Sequence, residues 1–209
     1  MNKIKPLTAA PSSSAASSSE DGRQSSLGEQ KQQAVYTVWM KSLVFNGNGC
    51  TVYGADGCVA YRVDNYACRG GREVFFMDHA GNNLIRIQRK SFCCMLRRWE
   101  AHRCCFDDDG EETTRPWFRA RKAWKNGGAV VTMLGGSERT TYRIEGCSRK
   151  SDYRITGADG AVAAAIGRKQ TASGVVLGED VLTLTVGSGT DHLLVLGLVV
   201  VRGLMDRCL

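Results

Sequence analysis

The side chains best suited to chemistry in this chain are its thiols, its three histidines and a set of cations on strand-like segments. Cys93, Cys94, His102, Cys104 and Cys105 crowd into one short stretch and are the nearest approach to a metal cluster. Zinc sites favour a short Cys-x-x-Cys spacing, because one tight turn must aim both thiolates at a single ion. Adjacent cysteines on a strand point to opposite faces instead. These thiols therefore read as small buried hydrophobes, and no metal or other cofactor is expected. Asp78-His79 lies in a hairpin turn with no nucleophile signature beside it, while His102 and His192 fall on separate elements. The sequence contains no Gly-x-Ser-x-Gly, phosphate-cradling glycine loop or zinc-hydrolase helix, so an enzyme is not expected.

The cations offer a different chemistry. Arg86 and Lys90 alternate with inward apolar residues on one strand, and Arg119, Arg121 and Lys122 sit on another. If those strands are neighbours, the five form a candidate contact surface for anionic lipid, to which each cation near the bilayer contributes about 1 kcal/mol. The net charge is +7, and residues 62–125 hold 14 basic and nine acidic residues, an excess of +5. Such a balance permits phospholipid or nucleic acid as partner, against the ordinary alternative of a solvated face. Nine cysteines, an odd number, with no secretory signal ahead of them, point to reduced thiols in an intracellular protein.

The elements that must position these groups are strands. Val35–Met40, Ser42–Phe45, Cys50–Tyr53 and Cys58–Val63 are rich in β-branched and aromatic residues, with Gly54-Ala-Asp-Gly57 as a tight turn between the last two. Glu73–Met77 returns through Asp78–Asn82 into Leu84–Lys90, where Ile85 and Ile87 alternate with Arg86, Gln88 and Lys90. Further strands are expected at Cys94–Arg103, Pro116–Ala123, Ala129–Leu134, Thr140–Glu145, Asp152–Thr156, Ala161–Gly167 and Glu179–Val186, with an acidic loop at Asp107–Glu112. Gly54-Ala-Asp-Gly57 recurs as Gly157-Ala-Asp-Gly160, and Ile87-Gln-Arg-Lys90 resembles Ile166-Gly-Arg-Lys169, which suggests a duplicated β-half.

Two segments depart from the strand pattern. Residues 1–33 are Ser/Ala-rich and then polar, with too little apolar surface to offset chain entropy, so a disordered tail is expected, with an organelle transit peptide as the alternative. At the other end, Thr190 and Asp191 can cap a helix over about 191–206 whose surface is apolar nearly all round. A helix of that kind must be enclosed. Its uncharged run, Leu193–Val201, has nine residues, well short of the about 20 that a membrane span needs. A core strand is the other reading of that run.

Val38–Phe45, the Gly-Ala-Asp-Gly hairpin, Tyr61–Tyr66, Arg72–Asp78, Leu84–Lys90, Trp99-Glu100, Pro116–Arg121 and Asp180–Val186 followed by the apolar helix together resemble the plant LURP-one-related proteins. The likeness covers roughly residues 35–206. It implies a mostly β fold: a twelve-stranded closed antiparallel barrel, in a domain over 34–209, around a central hydrophobic helix, as in tubby-like domains and phospholipid scramblases. It implies a connection with plant defence, with phosphoinositide or an unknown protein as partner, in a monomer without a transmembrane segment. The expected location is cytoplasmic, peripheral at the plasma membrane, or nuclear, with a chloroplast the lesser alternative. The scramblase relationship also makes S-acylation of the paired cysteines worth naming. A nucleic-acid-binding transcriptional regulator is the rival, with Trp99, Trp117 and Trp124 beside basic strands as its stacking platform. Gly197 departs from the family pattern, at a helix position where a larger residue would pack better.

Overall fold

A computed structural model describes residues 33–40, 49–64, 73–91, 97–106, 111–123, 127–136, 140–147 and 152–206 of the protein. The expected tail up to residue 32, the expected strand Ser42–Phe45, the Cys93-Cys94 pair and Trp124 lie outside these residues. Twelve strands precede one helix: β1 (Ala34–Trp39), β2 (Gly49–Tyr53), β3 (Val59–Asp64), β4 (Glu73–Asp78), β5 (Asn83–Ser91), β6 (Arg97–Phe106), β7 (Glu112–Lys122), β8 (Ala129–Met133), β9 (Thr141–Cys147), β10 (Asp152–Thr156), β11 (Val162–Arg168), β12 (Val181–Val186) and α1 (His192–Asp206). Each strand pairs antiparallel with its sequence neighbours, and β1 pairs with β12 to close a barrel. Closure leaves no sheet edge to template association.

Alternation sets the two faces. On β12, Leu182, Leu184 and Val186 are buried while Val181, Thr183 and Thr185 are partly open; on β10, Tyr153 and Ile155 face in and Arg154 faces out. Because every strand has an inner apolar row, the lumen would be an unfilled apolar hole without an insert. Helix α1 supplies that insert, with Leu194 to Gly203 all buried. The valine-rich run Val199–Val201 favours strand geometry by propensity. A closed barrel offers it no strand partner, however, and only a helix satisfies its own backbone hydrogen bonds inside the lumen.

The helix runs from rim to rim. It follows β12 at the rim where β1 begins; there Asp191 Oδ1 accepts a bond from the Leu194 amide at 3.1 Å, an N-cap, and Tyr36 of β1 meets His192 Nδ1 at 2.9 Å. At the far rim Arg202, 3% exposed, donates through Nη1 to the Gly127 carbonyl at 2.7 Å in the β7–β8 turn. Its Nε lies 2.9 Å from Asp206 Oδ2, close enough for an ion pair, and Asp206 Oδ1 is 3.4 Å from Lys122 Nζ. The charge that ends the apolar run is thus the stopper of the lumen.

Gly197 faces Ile85 and Phe118 of the inner row. A Cβ there would lie 3.1 Å from Ile85 Cδ1 and 3.4 Å from the Phe118 ring, so the missing side chain is what lets those two fully buried residues fill the lumen. A side chain there would require Ile85 or Phe118 to give by a few tenths of an ångström. Strand β7 also begins at Glu112 rather than at Pro116, since Thr114, Thr113 and Glu112 find ladder partners in Cys104, Cys105 and Phe106 of β6. Pro116 sits beside a register shift, a position where a sheet tolerates proline.

The two Gly-Ala-Asp-Gly turns are built alike. Gly57 and Gly160 donate to the Gly54 and Gly157 carbonyls at 3.1 Å, and Asp56 and Asp159 accept from the Cys58 and Ala161 amides at 3.0 Å. Gly57 has φ +77° and Gly160 φ +81°, which a side chain would strain. This echo maps β2–β3 onto β10–β11, whereas the Ile-x-Arg-Lys echo maps β5 onto β11. The two echoes therefore differ in strand offset, while the two turns share one chemistry.

Candidate functional site

Strands β5, β6 and β7 are consecutive in the barrel, so the condition for gathering the expected cations is met. Their outward residues form cross-strand rows. One row runs Glu73, Gln88, Glu100, Arg119; the next, toward the rim closed by Arg202, runs Lys90, Arg98, Arg121 and, beyond Val130 of β8, Arg143 of β9. Adjacent strands lie about 4.8 Å apart, so the first three cations of the second row are direct neighbours.

Acidic partners divide the five expected residues. Arg86 Nε is ion-paired with Glu73 Oε1 and its guanidinium lies 6.0 Å from the Phe75 ring centre. Arg119 donates to Glu100 Oε1 at 2.9 Å, and the same carboxylate lies 3.4 Å from Arg98 Nε. Lys122 belongs to a different surface: it has the strand phase of the buried Phe118 and Ala120, and it turns to Asp206 at the lumen mouth. The expectation that Arg121 and Lys122 share a face is corrected by the alternation of strand neighbours. Lys90 and Arg121 have no carboxylate within ion-pair distance among the described residues.

Sequence reasoning missed Arg98 and Arg143. Each immediately precedes a buried residue, Trp99 and Ile144, so its outward phase was readable. The pairing that aligns Arg143 with Arg121 across Val130 was not. Like charges directly opposite one another destabilise a sheet by roughly 0.2–1 kcal/mol per pair. Among the described residues, the row Lys90, Arg98, Arg121 carries that cost with only Glu100 to relieve it, and an external anion would relieve the rest.

The other chemical candidates take structural places. Trp99 is buried in the core, and Trp117 lies under the Arg103 guanidinium, 5.1 Å from ring centre to carbon. Asp78 accepts from the Asn82 side chain at 2.8 Å and its amide at 2.9 Å, which lowers its pKa and fixes the β4–β5 turn. Burial pushes the Cys50 thiol up to about 12, with the Asp64 carboxylate adding to the rise. Cys104 is also pushed up to about 12, by burial first and then by a hydrogen bond to Glu112. Thiols held protonated are poor nucleophiles and poor metal ligands.

No helix among the described residues is long and apolar enough to cross a membrane. The sequence profile described as LURP-one-related matches residues 34–203. The chain is 36% identical over 182 residues to LURP-one-related 11 of Arabidopsis thaliana, covering 84% of this chain and 79% of that protein. To LURP-one-related 4 of the same plant it is 36% identical over 174 residues, 83% of this chain and 79% of the relative. An X-ray structure of an Arabidopsis thaliana protein aligns with a TM-score of 0.58 at 14% identity, over 85% of this chain and 93% of that one, a likeness of fold.

Proposed function

The chain belongs to the LURP-one-related family, and from that premise we propose a non-catalytic interaction module whose outer basic face docks on anionic phospholipid at the inner surface of a membrane. The observation that carries this reading is the cationic row Lys90, Arg98, Arg121, in which, among the described residues, only Arg98 has a carboxylate beside it. The helix-filled lumen supports it as well, because a plugged barrel leaves recognition to the outside. A peripheral protein that attaches through charge is released by salt, which suits reversible tethering and a service in defence signalling.

Co-sedimentation with phosphatidylserine vesicles over a salt series tests the lipid part. Binding is expected at low ionic strength, falling as salt rises, and weaker for Lys90→Glu or Arg121→Glu. Absence of binding at low salt, or binding indifferent to both reversals, contradicts it. The tryptophan platform of a nucleic-acid binder finds less support, since Trp99 is in the core and Trp117 is covered on one side by Arg103.

A further inference from the structure

After β11 the chain leaves the barrel wall before it returns as β12, and residues 169–180 form an arm at the rim where α1 ends. The base of the arm is fixed. The Lys169 amide donates to the Val181 carbonyl at 2.9 Å, the Met40 amide to the Asp180 carbonyl at 2.8 Å, and Trp39 Nε1 to Asp180 Oδ2 at 3.1 Å. The tip is exposed at every position from Gln170 to Leu177. Even Val175, Val176 and Leu177 are 60%, 44% and 48% exposed, so the tip stands clear of the wall instead of packing on it.

That tip is a ribbon with a single bridge, Gln170 to Val176, closed by a turn over Thr171–Gly174. The Thr171 amide donates to the Val175 carbonyl at 2.8 Å, and the Gly174 amide to the Thr171 carbonyl at 2.9 Å. Thr171 Oγ1 accepts from the Val175 amide at 3.1 Å and meets Ser173 Oγ at 2.8 Å. A two-stranded ribbon of this size is marginal on its own. Local opening exposes its groups to water, which replaces the lost bonds, and leaves the anchored base in place.

The arm sets a charge pattern ahead of a hydroxyl. Arg168 and Lys169 stand three and two residues before Thr171. An arginine three residues ahead of Ser or Thr occurs twice in the sequence, at Arg23–Ser26 and at Arg168–Thr171, and only the second lies among the described residues. Arg168 is exposed, and its ion pair at 3.5 Å is with Glu179, whose side chain is 87% exposed. An exposed pair of that kind contributes about 0–1 kcal/mol, so Arg168 can exchange it for another carboxylate. Protein kinases select substrates by charge pattern, and a cleft lined with carboxylates grips an arginine fork while the substrate lies extended through it. Three residues of extended chain span about 10 Å, which separates the gripped guanidinium from the reacting hydroxyl.

We infer that Thr171 is a phosphorylation site, the acceptor for a protein kinase of the basophilic class, with Arg168 as its recognition residue. The kinase supplies ATP as the phosphoryl donor. Thr171 Oγ1 forms a new bond to the γ-phosphorus as the bond from that phosphorus to the bridging oxygen breaks; the hydroxyl proton passes to the kinase's base and ADP leaves. The product carries about −1.5 to −2 charge where the chain now has a neutral hydroxyl. Strands β11 and β12 lie across the barrel from β5 and β6, so this inference does not depend on the cationic row proposed as a docking surface.

The test incubates the full folded chain, carrying Ser26→Ala, with magnesium ATP and the catalytic subunit of the cyclic-AMP-dependent kinase, and locates phosphate by fragment-ion mass spectrometry. Phosphate on Thr171 is expected. Thr171→Ser should retain modification at that position, and Thr171→Val should abolish it. Arg168→Ala should slow incorporation about tenfold or more, the usual worth of a charge-assisted contact, with the melting temperature unchanged. Glu179→Gln, which releases Arg168 from its ion pair, should leave the rate equal or raise it. Absence of phosphate on Thr171, or a rate there indifferent to Arg168→Ala, overturns the inference.

Discussion

The two faces of β5–β9 are built from alternate residues of the same strands, yet they treat charge in opposite ways. Inside, the buried charge Arg202 is held by the Gly127 carbonyl and by Asp206, which in turn holds Lys122. Outside, Lys90, Arg121 and Arg143 stand without carboxylate partners among the described residues, although Arg86, Arg98 and Arg119 on the same wall are paired. A paired charge is part of the architecture; an unpaired one in a like-charged row costs stability and is available to a ligand. Variants of the inner face should therefore change stability, and variants of the outer row should change binding.

The contrast breaks most sharply in the lumen. Phe118→Ala is expected to lower unfolding free energy by about 3–5 kcal/mol in chemical denaturation, the cost of a large cavity against α1. Arg202→Ala should cost about 3 kcal/mol, since it opens a buried pair while leaving Asp206 with Lys122. A loss below about 0.5 kcal/mol, typical of surface sites, would mean that the far rim is not a stopper.

Overpacking is the next effect in size. Gly197→Leu should destabilise by about 1–3 kcal/mol, because Ile85 and Phe118 already occupy the space. An increase in melting temperature would support the expectation that a larger residue belongs there. Helix periodicity names the buried positions but not the size of what faces them, so the approach of Ile85 and Phe118 to Gly197 was not readable from the sequence. The strands, by contrast, were legible from alternation and turn chemistry, as Leu84–Lys90 and the two Gly-Ala-Asp-Gly turns illustrate. The twelve-strand closure came from the family likeness, since pairing joins β1 to β12 across nearly the whole chain. Of the site, the outward phase of Arg86, Lys90, Arg119 and Arg121 was readable. Lys122 could have been excluded by simple alternation, whereas the alignment of Arg143 with Arg121 required the register.

At the helix entrance, Asp191→Ala removes the cap to the Leu194 amide and should cost about 1 kcal/mol. Alkaline pH sets a smaller test of the inner face. The buried Cys50 thiol is raised from 9.0 to about 12, so the folded state keeps a proton that the unfolded chain releases. Its contribution to stability is complete below pH 9.0 and is lost progressively as pH rises toward about 12. Cys50→Ala should flatten that alkaline decline in a melting series. Exposed Cys58 should label with a thiol reagent well before Cys50 does.

The central claim, that unpaired rather than total charge makes the outer surface functional, is tested most directly by two charge-matched double variants. Lys90→Gln/Arg121→Gln removes two cations without a carboxylate partner among the described residues, and Arg86→Gln/Arg119→Gln removes two that are already ion-paired. Their binding to anionic vesicles at one salt concentration separates contact from net charge. The account predicts that the first pair loses binding by at least about tenfold relative to the second, in line with contacts to charged groups. Equal losses in the two would contradict it, because diffuse attraction would then be sufficient.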